Sequence, residues 1–79
     1  MYYIYIIKSI KTEKYYIGYT KNIVERLKRH NGARNNSTRN GIPWELVYCE
    51  KILTRQEAYK RELQIKSYKG GEAFKKLIK

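Results

Sequence analysis

The apolar and polar positions of this chain change period several times, and each change predicts an element. Residues 2–8, YYIYIIK, are β-branched and aromatic with almost no polar break, which predicts a strand. The polar SIKTEK suits a turn, and residues 15–19 return to strand texture. In NIVERLKRHNG the spacing lengthens to that of a helix. Asn22 and Glu25 make a capping pair at its start, and Gly32 stops it. Residues 31–43 form an Asn- and Gly-rich loop, and residues 44–50, WELVYCE, alternate as a third strand. Thr54 and Glu57 have the capping-box spacing that opens a helix through RQEAYKRELQIKSY. KGG breaks it, and EAFKKLIK forms a short last helix. The expected order is β-β-α-β-α-α: an α+β fold with a three-stranded antiparallel sheet flanked by helices, in one domain over residues 1–79.

The first two strands should pair as a hairpin. With Tyr5 opposite Tyr16, Ile4 faces Ile17, Ile6 faces Tyr15, and Tyr3 faces Gly18. One face then carries Ile4, Ile6, Tyr15 and Ile17, a core face. The other carries Tyr3, Tyr5, Tyr16, Gly18 and Lys14. A slip by one residue mixes the two sets, so the apolar pattern selects this division of faces. Gly18 is expected to leave a gap beside the two phenols, a pocket more than a core. The plainer account is that tyrosine is a good strand former and that aromatic cross-strand pairs add about 0.2–1 kcal/mol.

Charge changes the picture most. Eighteen Lys and Arg face seven acids, for a net charge of +11, which favours a polyanionic partner such as nucleic acid. All seven acids are glutamates, which disfavours the clustered carboxylates of a two-metal nuclease. One cysteine, Cys49, excludes an internal disulfide and a C-x-x-C zinc site, and the one histidine, His30, argues against a His-rich metal site. The chain shows no signal-peptide pattern and no apolar run of membrane-spanning length. A soluble, cytoplasmic protein is expected, with no membrane partner.

Three further side chains stand out. Arg26 and His30 are four apart, so they share a face of the first helix, at the edge of the Ile23–Leu27 stripe that docks on the sheet. Each taken alone reads more simply as a solvated arginine or a half-buried histidine. Glu62 lies four after Ala58 and three before Ile65, on the apolar stripe of the second long helix. A carboxylate there is costly unless it is paired or binds a metal.

Taken together, these residues resemble the GIY-YIG nucleases. The second half of that signature stands as Tyr16-Ile17-Gly18, and the first half as Tyr3-Ile4-Tyr5, with Tyr in place of the leading Gly. The resemblance continues through ERLKRHNG, which matches the family's Arg and the His four residues on. It reaches EAYKRELQIKSY, which matches the helix carrying the metal-binding Glu, and so covers nearly the whole chain. It is similar to the small single-domain members, such as the N-terminal domain of the excision-repair nuclease and structure-specific nucleases. Some members carry an Asn near the end of the domain; this chain has none after Glu62.

The resemblance implies a DNA endonuclease using one divalent ion, Mg²⁺ or Mn²⁺, held by Glu62. Arg26 would fork onto phosphate oxygens. Tyr5 is the expected base, with Arg26, Lys14 and the ion favouring its phenolate, His30 orienting it or relaying its proton, and Tyr16 positioning water or phosphate. The two phenols are interchangeable on sequence alone. Lys14, Arg34, Arg39, Lys66 and Lys69 are expected to grip the backbone, with Lys75 and Lys76 beside them. Branched, flap or damaged DNA in repair or recombination is the expected substrate, with a protein partner adding specificity. Two other accounts compete: a catalytically weak or inactive basic nucleic-acid-binding module of the same fold, and a ribosome-associated or RNA-binding basic protein using its tyrosines as stacking platforms.

Overall fold

The computed structural model describes residues 1–78. It contains β1 (Tyr2–Ser9), β2 (Tyr15–Thr20), α1 (Ile23–Asn31), β3 (Trp44–Ile52), α2 (Arg55–Ser67) and α3 (Glu72–Ile78). The strands form one antiparallel sheet in the order β2-β1-β3. The expected order and α+β class are both found. The proposed end of the last helix at Lys79 lies outside the described residues.

β1 explains its own unbroken apolar run. It is the central strand and is covered on both faces, so Ile4, Tyr5, Ile6 and Ile7 are all buried. Each fully buried aliphatic side chain of this size contributes about 1.5–3 kcal/mol. Ile4 and Ile6 face α2 and α3, packing with Ala58, Ile65 and Phe74. Tyr5 and Ile7 face the other way, packing with Trp44, Tyr16, Ile23 and Leu27. The sheet thus separates two small cores, with α1 on one side and α2 and α3 on the other.

The caps form where the spacing places them. Asn22 Oδ1 accepts the Glu25 amide at 3.0 Å, and Thr54 Oγ1 accepts the Glu57 amide at 3.2 Å. Gly32 closes α1, its amide donating to the Lys28 carbonyl at 2.8 Å. A bulge between Ile6 and Ile7 inserts Val47 into β3, so that Tyr48 and Leu46 pair with successive residues of β1.

The hairpin register differs from expectation by two residues. Tyr5 pairs with Gly18, Ile6 with Ile17, and Ile7 with Tyr16. A two-residue shift preserves which side chains share a face, so period-two patterning does not detect it. The turn decides. The expected register leaves a two-residue loop, Ile10-Lys11, with no residue suited to positive φ. The protein makes a longer turn instead: Glu13 takes φ 63°, its amide donates to the Ser9 carbonyl, and the Ser9 amide donates to the Lys14 carbonyl, each at 2.9 Å. Lys14 therefore belongs to the turn and not to the tyrosine face.

Candidate functional site

Four elements meet at the β2 edge of the sheet. β1 supplies Tyr5, β2 supplies Tyr16, Gly18 and Tyr19, α1 supplies Arg26, and α2 supplies Glu62. Together they line a groove of about 290 Å³. Tyr5, Tyr16, Arg26 and Glu62 are thus brought to one place from far apart in sequence, with His30 directly behind them.

The corrected register gives Gly18 a different task from the one expected. It does not leave a gap. The Tyr5 ring lies across it, and a Cβ on Gly18 would stand 2.7 Å from Tyr5 Oη and 2.9 Å from Cζ. Glycine is what allows the phenol to cross β2 and reach the groove. The Tyr5 and Tyr16 rings are diagonal neighbours, with centroids 6.4 Å apart.

His30 is fully buried, contrary to a half-buried reading, and it does not line the groove. Its Nε2 is 2.9 Å from Tyr5 Oη, and its Nδ1 is 2.7 Å from Thr38 Oγ1. The Thr38 hydroxyl donates to the Asn35 carbonyl at 3.4 Å. In the tautomer in which Thr38 accepts from Nδ1, Nε2 accepts the Tyr5 hydroxyl proton. The phenol oxygen then turns its remaining lone pair toward Arg26 at the groove.

The loop after α1 holds this chain in place. Trp44 Nε1 donates to the Thr38 carbonyl at 2.7 Å, and Ser9 Oγ donates to the Gly41 carbonyl at 2.6 Å. The Asn31 side chain bonds both the amide and the carbonyl of Trp44, at 2.6 and 3.1 Å. Thr38 is a supporting residue that sequence reasoning missed. A lone threonine in an Asn-rich loop gives no spacing signal; only the fold shows it buried against His30.

The protein's own charges do not offset the burial of the phenol. Burial first, and then Tyr16, push the Tyr5 phenol up to about 12, although Arg26 pulls the other way. Lys14 takes no part. Burial, followed by the charges of Arg26 and Arg29, holds His30 below its ordinary value of 6.5, so it is neutral at pH 7. With no ion bound, the site holds a protonated phenol beside a neutral imidazole.

Glu62 sits where its spacing predicts, between the buried Ala58 and Ile65, with its side chain only 15% exposed. Its Oε2 accepts from Lys66 Nζ at 2.6 Å. Lys66, expected on the nucleic-acid backbone, is thus paired within the site, as its i,i+4 spacing allows. No group of three or more His, Cys, Asp or Glu side chains is placed to hold a metal among the described residues. The donor set fits an ion bound through one carboxylate that keeps most of its water, and does not fit an all-protein cage. Lys14, Arg34, Arg39 and Lys69 are exposed and do not line the groove. Arg39 donates to Asn36 within its own loop.

A phenol–imidazole pair, an arginine and a single carboxylate thus stand together at the edge of a β2-β1-β3 sheet. Comparison with known proteins assigns the class. The profile of the GIY-YIG catalytic domain matches residues 1–75, and this chain belongs to that family of nucleases. Nucleases of the family bind DNA and generally depend on a divalent metal. A UPF0213 protein of Staphylococcus saprophyticus is 44% identical over 69 residues, covering 84% of this chain and 80% of its own. UPF0213 proteins of Clostridium perfringens and Haloquadratum walsbyi are 43% and 40% identical, each over 67 residues. Those matches also cover 84% of this chain, and 71% and 74% of theirs. No helix among the described residues is long and apolar enough to cross a membrane.

Proposed function

We propose that this chain is a DNA endonuclease that hydrolyses phosphodiesters with Tyr5 as the general base and one divalent ion on Glu62. The observation that carries this reading is the Tyr5–His30–Thr38 hydrogen-bond chain, which offers the phenol's own proton a path away from the groove. Water attacking phosphorus gives a proton to Tyr5 Oη while the Tyr5 proton passes to His30 Nε2. The new P–O bond forms, the bond to the 3′ oxygen breaks, and that oxygen takes a proton from solvent. The products carry a 5′ phosphate and a 3′ hydroxyl. No free phenolate is needed, which suits a phenol held near 12. Arg26 forks onto the non-bridging oxygens, as a planar guanidinium does well, and Tyr16 positions water or phosphate. The ion, Mg²⁺ or Mn²⁺, supplies charge neutralisation at the phosphate and the leaving oxygen. His30 touches no substrate and is a positioning residue and proton acceptor.

Flaps, branches or damaged duplex, in repair or recombination in the cytoplasm, are the substrates and setting this reading favours, since no element is dedicated to base edges. A protein partner that selects the structure is compatible with so small a chain. A second reading, a binding module without turnover, is favoured by one observation: Lys66 already neutralises Glu62. Incubation of labelled duplex, flap and four-way-junction DNA with and without Mg²⁺ or Mn²⁺, beside Glu62→Gln and Tyr5→Phe, separates the two. Metal-dependent cleavage lost in both variants supports the nuclease. Binding without cleavage, or cleavage unchanged in Glu62→Gln, refutes it.

A further inference from the structure

Beside the site, and sharing Arg26 and Tyr19 with it, lies a second groove of about 470 Å³ between the starts of α1 and α2. Four cations line it: Lys21, Arg26, Arg29 and Arg55, against one acid, Glu25. Its aromatic wall is Tyr2 and Tyr19, which meet edge to face with ring centroids 6.3 Å apart. Lys21 Nζ lies 5.5 Å above the centre of the Tyr2 ring.

The positions of two of these cations are informative. Lys21 immediately precedes the cap of α1, and Arg55 is the first residue of α2. A helix N-terminus carries partial positive charge, so acids stabilise there and cations do not. Arg29 adds a further cation on the face of α1 that already carries Arg26. The helix amides are not the attraction, because Asn22 and Thr54 already cap both helices. Together these side chains make one concave surface strongly positive, and that surface leads directly from Arg26.

We infer that this groove is the track for the phosphodiester strand flanking the scissile bond, with Lys21, Arg29 and Arg55 each neutralising a backbone phosphate. The inference rests on the nuclease reading for where the strand begins. It assigns the grip to different residues from the loop arginines Arg34 and Arg39, which lie outside the groove. Phosphates are common to DNA and RNA, and the track reads charge and spacing and not bases.

The test is the salt dependence of binding, measured by fluorescence anisotropy in EDTA so that nothing is cleaved. Labelled DNA and RNA of one sequence are titrated at several NaCl concentrations with the wild type and with Lys21→Gln, Arg29→Gln and Arg55→Gln. Arg34→Gln and Arg39→Gln serve as the comparison set. All five residues are exposed, so the variants should fold. Each lost phosphate contact should lower the log–log slope by about 0.9 on duplex DNA and about 0.7 on a single strand. A fall of that size in the groove variants, exceeding that in the loop variants, supports the track, and the arm in which it occurs identifies the strand. A fall no larger than in the loop variants overturns the track while leaving the cleavage chemistry standing. No binding of either nucleic acid by the wild type overturns both.

Discussion

Gly18→Ala tests the geometry on which the site depends. Gly18 needs no unusual backbone angle, so its role is space alone. In an ordinary strand, replacing glycine by alanine gains about 0.5–1 kcal/mol. Here the new methyl would stand 2.7 Å from Tyr5 Oη, and the ring has nowhere to retreat: Tyr5 is only 2% exposed and is bonded to a fully buried histidine. Overpacking costs about 1–3 kcal/mol, and losing the Tyr5–His30 bond costs about 1 more. The expected net loss is about 1–3 kcal/mol, or about 4–24 °C in Tm for a chain of this size. In a Tyr5→Phe background the closest atom and the hydrogen bond are both gone. Contacts to Cζ and Cε2 remain, so the alanine should cost about 1 kcal/mol less there. Urea denaturation of the four proteins of this cycle gives the coupling directly. A Gly18→Ala protein as stable as wild type, or strictly additive single changes, would refute the claim that the phenol is locked across β2.

Tyr5→Phe should keep nucleic-acid binding and lower cleavage by about 10² or more, the scale of general base catalysis; near-normal cleavage would remove Tyr5 from that role. The same change strands His30 Nε2 without a donor and should cost about 1–2 kcal/mol of stability by urea titration. Because the folded His30 is held below 6.5, the unfolded chain binds its proton first. Stability should therefore be complete above that value and fall as pH drops below it, by at most about 1.4 kcal/mol per pH unit. Denaturation midpoints between pH 7.5 and 5 should show this slope in wild type and lose it in His30→Gln; equal slopes would contradict it. Lys66→Met removes the cation bonded to Glu62 and should tighten Mn²⁺ binding about three- to tenfold, allowing for solvent screening. Electron paramagnetic resonance of free Mn²⁺ reads this without turnover, and unchanged or weaker binding would rule out competition between the ammonium and the metal.

What could be read in the sequence was what is local. The capping residues Asn22 and Thr54 act within three residues, and the alternation of β1 and β2 separates their faces whatever their register. The spacing of Arg26 and Glu62 along their helices turns both toward the groove for the same reason, while His30 lies behind it. The hairpin register was not legible, because a two-residue shift leaves every face intact and the turn that selects it depends on Glu13 adopting φ 63°. The support of His30 by Thr38 depends on how the loop docks on Trp44. The Lys66–Glu62 pair has plain i,i+4 spacing, but in a chain of net charge +11 the same spacing is equally compatible with a lysine facing an external polyanion. The cations Lys21 and Arg55 carried a quieter signal, being placed where helix electrostatics disfavour them.

The division into two cores has a consequence for catalysis. Glu62 is held by the core of Ile4, Ile6, Ala58 and Ile65, while Tyr5, His30 and the docking stripe of α1 belong to the core around Ile7 and Trp44. Neither core alone makes the site. They meet at β2, the edge strand, where Gly18 lets the phenol cross toward the helix that carries the carboxylate. A cavity in one core should therefore move half of the machinery relative to the other half. Ile65→Ala should cost about 2–5 kcal/mol and impair chiefly the metal step through Glu62, recovering in part as Mn²⁺ is raised. Trp44→Phe removes the indole N–H that anchors Thr38, and so should disturb the proton path, shifting the pH profile of cleavage at unchanged metal affinity. If both changes lowered activity in the same way, with no such split, the carboxylate and the phenol would not be independently mounted.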